Sequence, residues 1–476
     1  MSGMKKTVIT LFIAFVTVSL FAQDTNVGAY TVKEAVDYAL KNSHDAKNAK
    51  LDIVKAKAFN WEILTQGLPQ VNGSFEYDHY FKTPIVPAFS SAFGETSTFG
   101  KVFGRLAQID NGSVPGTTIG QILSQPGAGF NNITFVLPND ITAGLTVSQL
   151  LFDGRYLFGL KARRELAINS HLQSDLTDQD IKNNVSKAYY QAEAAQEAKS
   201  LLTANQTIVD KILSDTRAVF AQGLTEETDV NRLELVQGNL QSQINQQNNL
   251  AEVALANLKY QMGLPLSQVI ILKDKLDDLK SAALPTESKF DPQNRIEYKL
   301  LNNGIILKGY DAEAKQTGYY PSLAAFLNYS GNVQTQAFAD MFKGSNWYQQ
   351  GIVGLKINVP IFDSGLKNAQ IKQTRVEQLK LKNDLENFKN GSTLQYLNTL
   401  SSFNTAISDE VISQKTLDLS KKIYDRNQQK FKLGAGTSFE LEQAEQEYTT
   451  NLLKHIQSIM AVLNSKADLD KAMGVK

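Results

Sequence analysis

The chain has 476 residues and carries 48 basic and 48 acidic side chains, so its formal charge is zero. That balance leaves no electrostatic footprint for nucleic acid. There is no cysteine, and the four histidines (His44, His79, His171 and His455) sit in no metal-ligand spacing, which excludes disulfides, thiolate metal sites, cysteine nucleophiles and a lipid-bearing N-terminal cysteine.

Residues 1–22 read as a signal peptide. Lys5 and Lys6 precede an apolar run, Val8 to Ala22, and the polar QDTN follows. The run is shorter than the ~20 residues of a spanning helix, and no later stretch is apolar enough to span as one. The expectation is an exported protein that is not a helical membrane protein.

A first repeat is expected over 23–262. It opens on TVKEAVDYALKNS (Thr31 to Ser43), and the helical pattern runs on toward Gln66 with a break at NSHD. GLPQVNGSFEY enters a strand at about 69–80, with Val71, Phe75 and Tyr77 on one parity and Ser74, Glu76 and Asp78 on the other. Phe81 to Asp140, rich in Gly, Pro, Ser, Thr and Phe, reads as a long loop. A second strand at about 141–152 alternates Ile141, Ala143, Leu145, Val147 and Leu151 with Thr142, Gly144, Thr146 and Ser148, while Gln149 interrupts the apolar row. The period then changes, and 155–262 reads as a long helical hairpin turning at Gly223. Its first arm, nearly seventy residues without proline, would be about 100 Å long. On its second arm Leu233, Val236, Leu240, Ile244, Ala251, Leu255, Leu258 and Met262 form a coiled-coil seam.

Residues 263–290 link the halves, with Pro265 and Pro285 as breakers. The second repeat, 291–476, has a helix from Pro292 to Gly318, strands at about 321–332 and 351–362, and a second hairpin over 366–473. Pro360 falls inside the last expected strand, where proline is unfavourable. Trp347 and Tyr348 suit an aromatic belt at a membrane interface or plain packing.

Short phrases recur in order. GLTVSQLLFDG (Gly144 to Gly154) returns as GLKINVPIFDSG (Gly354 to Gly365), with Asp153 and Asp363 offset by 210. FAQGLTEETDV and FKLGAGTSFEL, like ANLKYQMGL and ADLDKAMGV, are offset by 211, and the proline-led strand entries at Pro69 and Pro321 by 252. Conserved order with near-constant spacing indicates a duplicated unit with an insertion in the first copy. Four amphipathic strands of about ten residues match a tilted membrane strand, but an open sheet leaves unpaired edges in lipid. Three copies would close twelve strands; two or four would also close.

These motifs, LLFDG and PIFDSG, GLP and YYP, GLTEETDV and GAGTSFEL, together with the opening TVKEAVDYALKNS, resemble those of the TolC-like outer membrane factors over essentially the whole mature chain. The resemblance implies an α+β membrane protein: a homotrimer whose 12-stranded β-barrel, four strands per chain, continues into a long periplasmic α-helical barrel, with an internal two-fold repeat. It implies a location in the outer membrane of a Gram-negative bacterium. The function it implies is the exit duct of a tripartite efflux pump, working with a periplasmic adaptor, an inner-membrane transporter and outer membrane lipid, and without nucleic acid or cofactor. A type I protein secretion duct and a periplasmic coiled-coil scaffold or adaptor are the alternatives.

The resemblance assigns Gly223, Leu224 and Thr225, and Gly434, Ala435, Gly436 and Thr437, to adaptor-docking tips. It also places Asp229 and Glu440 at a periplasmic gate, where a trimer would gather a ring of carboxylates. Gly436 departs from members that carry an arginine there to tie the closed tip, and Arg232 is a speculative substitute. Asp153 and Asp363 are expected to cap the helices that follow them. No catalytic motif is present. Glu226 and Glu227 read as solvated carboxylates, so no enzyme activity is expected.

Overall fold

The computed structural model describes residues 28–82, 137–283 and 290–474. The expected signal peptide and almost all of the Phe81 to Asp140 insertion lie outside them. Among the described residues no helix is long and apolar enough to cross a membrane.

The chain divides into two compact units. The first comprises residues up to Asn60, Ala162–Gly309 and Gln373–Lys476. Near its N-terminal end a three-residue strand, β1 (Gly28–Tyr30), leads into α1 (Val32–Asn42). Thr31 and Glu34 form a reciprocal capping box at the start of α1, satisfying two orphan amides at once. α2 (His44–Thr65) follows almost directly. The long α3 (Gly154–Ala221) and its return helix α4 (Glu227–Met262) form one hairpin. The linker contributes β4 (Ile270–Leu272), which pairs in parallel with β1, and α5 (Leu276–Ala282). α6 (Ile296–Thr317) precedes the second hairpin, α7 (Leu366–Lys432) and α8 (Ser438–Met473).

Several hydrophobic clusters hold these helices, where a globular domain would have one core. The α1 residues Ala35 and Ala39 pack on Val185, Ala188, Tyr189 and Ala192 of α3 and on Leu258 and Met262 of α4. Small side chains on α3 let the helices approach closely. Leu276 of α5 fills a second cluster with Ala194, Ala198, Ile456, Ile459 and Leu463. The α4 seam is buried as its spacing requires, except that Ala254 is buried where Leu255 is only half-buried.

Both return helices end on a left-handed glycine placed against the start of a short helix. Gly263 (φ 75°) caps α4, and a Cβ there would lie 2.7 Å from the Ser43 Cα, at the entrance to α2. Gly474 (φ 71°) caps α8, and a Cβ there would lie 3.5 Å from the Arg295 Cα, at the entrance to α6. These are the ends of the repeated phrases MGL and MGV.

The second unit, residues Trp61–Lys161 and Tyr310–Lys372, is built on an antiparallel sheet. Its strands are β2 (Gln70–His79), β3 (Asn139–Phe152), β5 (Ser322–Thr335) and β6 (Tyr348–Asn358), in the order β2-β3-β5-β6. Strands from the two halves therefore meet between β3 and β5, with Leu145 opposite Tyr329 and Val147 opposite Leu327. A bulge at Leu151 ends the regular register of β3. One face carries Asn72, Ser74, Glu76, Asp140, Thr142, Thr146, Asn328 and Asn332, with hydrogen bonds from Asn332 to Asp140 at 2.6 Å and from Asn328 to Thr146 at 2.9 Å. The other carries Val71, Phe75, Leu145, Leu327, Val353, Leu355 and Ile357, all exposed.

One expectation is corrected, and one alternative left open is decided. β6 ends at Asn358, so Pro360 lies beyond the strand and costs no ladder hydrogen bond. Trp347 packs with Ile141, Val333 and Met341, and its indole donates to the Met341 carbonyl at 3.0 Å; only Tyr348 is left exposed for an aromatic belt.

Candidate functional site

The singled-out residues fall at two kinds of place: the strand-to-helix junctions of the sheet unit and the hairpin turns of the helical unit. At the junctions the two aspartates sit close to helix starts but act differently. β3 passes into α3 through the single residue Asp153, whose Oδ1 accepts from the Arg155 amide at 2.7 Å and whose Oδ2 pairs with the Arg155 guanidinium at 3.0 Å. Asp363 stands three residues ahead of α7. It accepts from the amides of Gly365 and Lys367, each at 3.1 Å, and pairs with the Lys367 ammonium at 3.2 Å. A left-handed Ser364 (φ 54°) and Gly365 (φ 83°) complete that longer turn. In both, a carboxylate meets helix amides that have no intrahelical partner.

Both hairpin turns close with a left-handed glycine and a bond back across the last helical turn. Gly223 (φ 74°) donates to the Phe220 carbonyl at 2.8 Å, and Leu224 to the Val219 carbonyl at 3.2 Å. Gly434 (φ 68°) donates to Phe431 at 3.0 Å, and Ala435 to Lys430 at 2.9 Å. This is the Schellman arrangement, and it explains why each long helix stops at a glycine. Leu224 is 74% exposed and Leu433 is 84% exposed, so each turn presents a bare leucine.

Beyond the turns the two halves differ. Thr437 and Glu440 form a reciprocal capping box on α8. At the corresponding place on α4 stands Glu226, whose side chain makes no cap. Thr225, one residue earlier, donates its hydroxyl to Asp229 at 2.6 Å. Hydrogen bonds from Ser438 and Thr225 hold the Asp229 carboxyl below its ordinary value. Ser438 is the first residue of α8 and is buried, so one of the hydroxyls that lower Asp229 belongs to the other hairpin. Glu440 is used within its own turn. Glu226 and Glu227 are exposed, as expected of solvated carboxylates.

Arg232 ties the two hairpins together. Its guanidinium pairs with Glu442 of α8 at 3.0 Å and lies 5.2 Å from the centre of the Phe439 ring. Beneath these contacts Ile212, Leu213, Val230, Leu233, Tyr424, Leu441 and Ala444 form one cluster drawn from α3, α4, α7 and α8. Gly436 has a steric reason to lack a side chain: a Cβ there would lie 3.0 Å from the Lys430 Cβ and 3.3 Å from the Phe431 amide nitrogen. Sequence reasoning had no means of finding the Asp229–Ser438 contact, because the partners lie on different hairpins with no local pattern joining them. Among the described residues there is no metal-binding cluster of His, Cys, Asp and Glu.

The fold is shared with solved outer membrane channels. It superposes on the Campylobacter jejuni CmeC outer membrane channel with a TM-score of 0.69 at 16% identity, covering 93% of this chain and 85% of that one. With CusC the TM-score is 0.67 at 16% identity, over 93% and 92%. Residues 308–475 match the model of the outer membrane efflux protein family. The chain is 21% identical to the proteases secretion protein PrtF of Dickeya chrysanthemi over 266 residues, which is 54% of this chain and 56% of PrtF. It is 23% identical to the outer membrane protein TolC of Vibrio cholerae over 249 residues, which is 52% and 56%. The chain thus spans a little more than half the length of these relatives.

Proposed function

We propose that the chain is the outer membrane exit duct of a tripartite efflux pump, passing small molecules from the periplasm or an inner-membrane pump to the exterior. The observation that carries this reading is the sheet. One face is polar and cross-linked by hydrogen bonds; the other is an exposed apolar surface from Val71 to Ile357. An apolar sheet face with no core behind it is unfavourable in water and matches hydrocarbon. The sheet ends at β2 and β6, and such edges cannot remain unpaired in lipid. Closure by copies of the chain, three giving a twelve-stranded barrel, satisfies both demands.

In that assembly the helical hairpins form a periplasmic barrel and the two turns meet an adaptor protein, with Gly223, Leu224 and Thr225 and Gly434, Ala435, Gly436 and Thr437 at the contact. Asp229 and Glu440 stand near the narrowest opening. The expected repeats are 23–262 and 291–476, joined by the linker 263–290. The similarity to PrtF, named for protease secretion, favours protein export as the second reading.

The test is single-channel conductance of the purified protein in a planar bilayer, with its mass measured in parallel. A trimer that inserts and gives discrete, cation-selective steps is expected. Reduced cation selectivity in Asp229→Asn/Glu440→Gln supports the acidic gate, and unchanged selectivity leaves both carboxylates with local roles at helix starts. A folded trimer that never inserts would overturn the duct in favour of a periplasmic scaffold.

A further inference from the structure

Deeper along the helices, past the Arg232–Glu442 pair, a carboxyl group is buried between two apolar clusters. Glu445 of α8 is 3% exposed. On one side lie Leu441 and Ala444 in the cluster with Leu233 and Tyr424. On the other, Leu452 packs with Leu202, Val209, Val236, Leu240 and Ile244. Glu445 Oε1 accepts from Asn205 Nδ2 of α3 at 2.9 Å and from Thr449 Oγ1 at 2.7 Å. Both partners are themselves buried.

Among the described residues no cation pairs with this carboxyl. The groups facing it are the Asn205 amide from α3, the Tyr424 phenol from α7, and Thr449 and Tyr448 from its own helix. The α4 side chains in the two flanking clusters, Leu233 and Val236, are apolar. The nearby charges are acidic or already paired: Asp425 of α7 acts on Tyr424 and Tyr448, and Arg232 is held by Glu442. Two buried polar atoms of the cluster, Asn205 Oδ1 and the Tyr424 hydroxyl, have no hydrogen-bond partner. An ionised carboxylate here would be a buried charge without a counter-charge. A neutral acid removes the charge and adds a donor hydrogen beside Asn205 Oδ1, an acceptor without a partner.

We propose that Glu445, with Asn205, Thr449 and Tyr424, is a proton-binding site that holds α3, α7 and α8 together when occupied and loosens their packing when the proton leaves. The direction of titration agrees. Burial pushes the Glu445 carboxyl above its ordinary value, against the opposing hydrogen bonds from Thr449 and Asn205. Because the folded value lies above the unfolded one, the stabilisation is complete below the ordinary carboxylate range. It is lost as pH rises through the folded value.

The experiment is infrared difference spectroscopy of the full-length protein across pH, comparing the native chain with Glu445→Gln, with thermal unfolding in parallel. A protonated carboxyl band that persists above the ordinary carboxylate range is expected in the native protein and absent from Glu445→Gln. The thermal midpoint of the native protein falls as that band titrates, while that of Glu445→Gln stays flat over the same range. Asn205→Leu, which removes a donor to the carboxylate, moves the band's titration to higher pH and keeps the test open if Glu445→Gln does not fold. A carboxyl that ionises within the ordinary carboxylate range, or the same pH profile in both proteins, would overturn the proposal.

Discussion

Asp229 and Glu440 stand at corresponding positions in the two halves, yet their carboxylates hold different partners. The difference arises from one threonine. In the second half Thr437 lies three residues before Glu440 and closes a capping box. In the first half Thr225 lies four before Asp229, and its hydroxyl goes to the side chain and not to a helix amide. Asp229 also lies beside Ser438 on the other hairpin, which helps to lower its carboxyl. Its depressed folded-state value contributes stability that is present above the ordinary carboxylate range and is lost as pH falls through the folded value. Ser438→Ala removes the largest cause of that depression. The acid loss of stability should then begin at higher pH, and about 1 kcal/mol should be lost at neutral pH. Thermal unfolding followed across the acid range checks this, and an unmoved acid limb would mean that the contact is absent in solution.

At the scale of elements, the left-handed glycines separate into two kinds. Gly223 and Gly434 have open space around them, so only the backbone conformation asks for glycine. Gly263 has the same φ but abuts backbone: an added Cβ would lie 2.7 Å from the Ser43 Cα and 2.8 Å from the Asn42 carbonyl oxygen. Gly223→Ala should therefore cost about 1 kcal/mol, the strain of a left-handed residue. Gly263→Ala adds a backbone collision where α4 meets α2 and should cost about 3 kcal/mol. Denaturant unfolding of the two variants side by side measures the gap, and equal losses would show that the helix junction yields easily.

For the molecule as a whole, the informative surface is α7. Val376, Leu379, Leu394, Leu397, Val411, Ile412, Leu419 and Ile423 are each half or more exposed. At 100° per residue they fall within about 120° of arc, a stripe typical of a helix that packs on a partner. Within the proposed trimer this stripe is the surface on which a neighbouring copy would close the helical barrel. Leu397→Asp or Ile412→Asp places a charge in that contact and should weaken assembly about tenfold per interface. Mass measurement over a dilution series reads the change. An undisturbed trimer would place the stripe elsewhere than between copies.

The residue order alone determined the alternating strands, the long proline-free helices, the glycine stops and the recurrence of each, because these follow from periods of two and of roughly three and a half residues and from glycine's freedom at positive φ. Even the phrases MGL and MGV stood out as repeats, although nothing local says that they abut Ser43 and Arg295. Only the tertiary structure decided that Trp347 is packed and Tyr348 bare, that Pro360 lies outside its strand, that Asp229 serves Ser438 while Glu440 serves its own cap, and that Glu445 is buried without a counter-charge. Each of these depends on side chains brought together from distant parts of the chain. Such contacts are set by packing between elements, and the local periodicity that builds each element is blind to them.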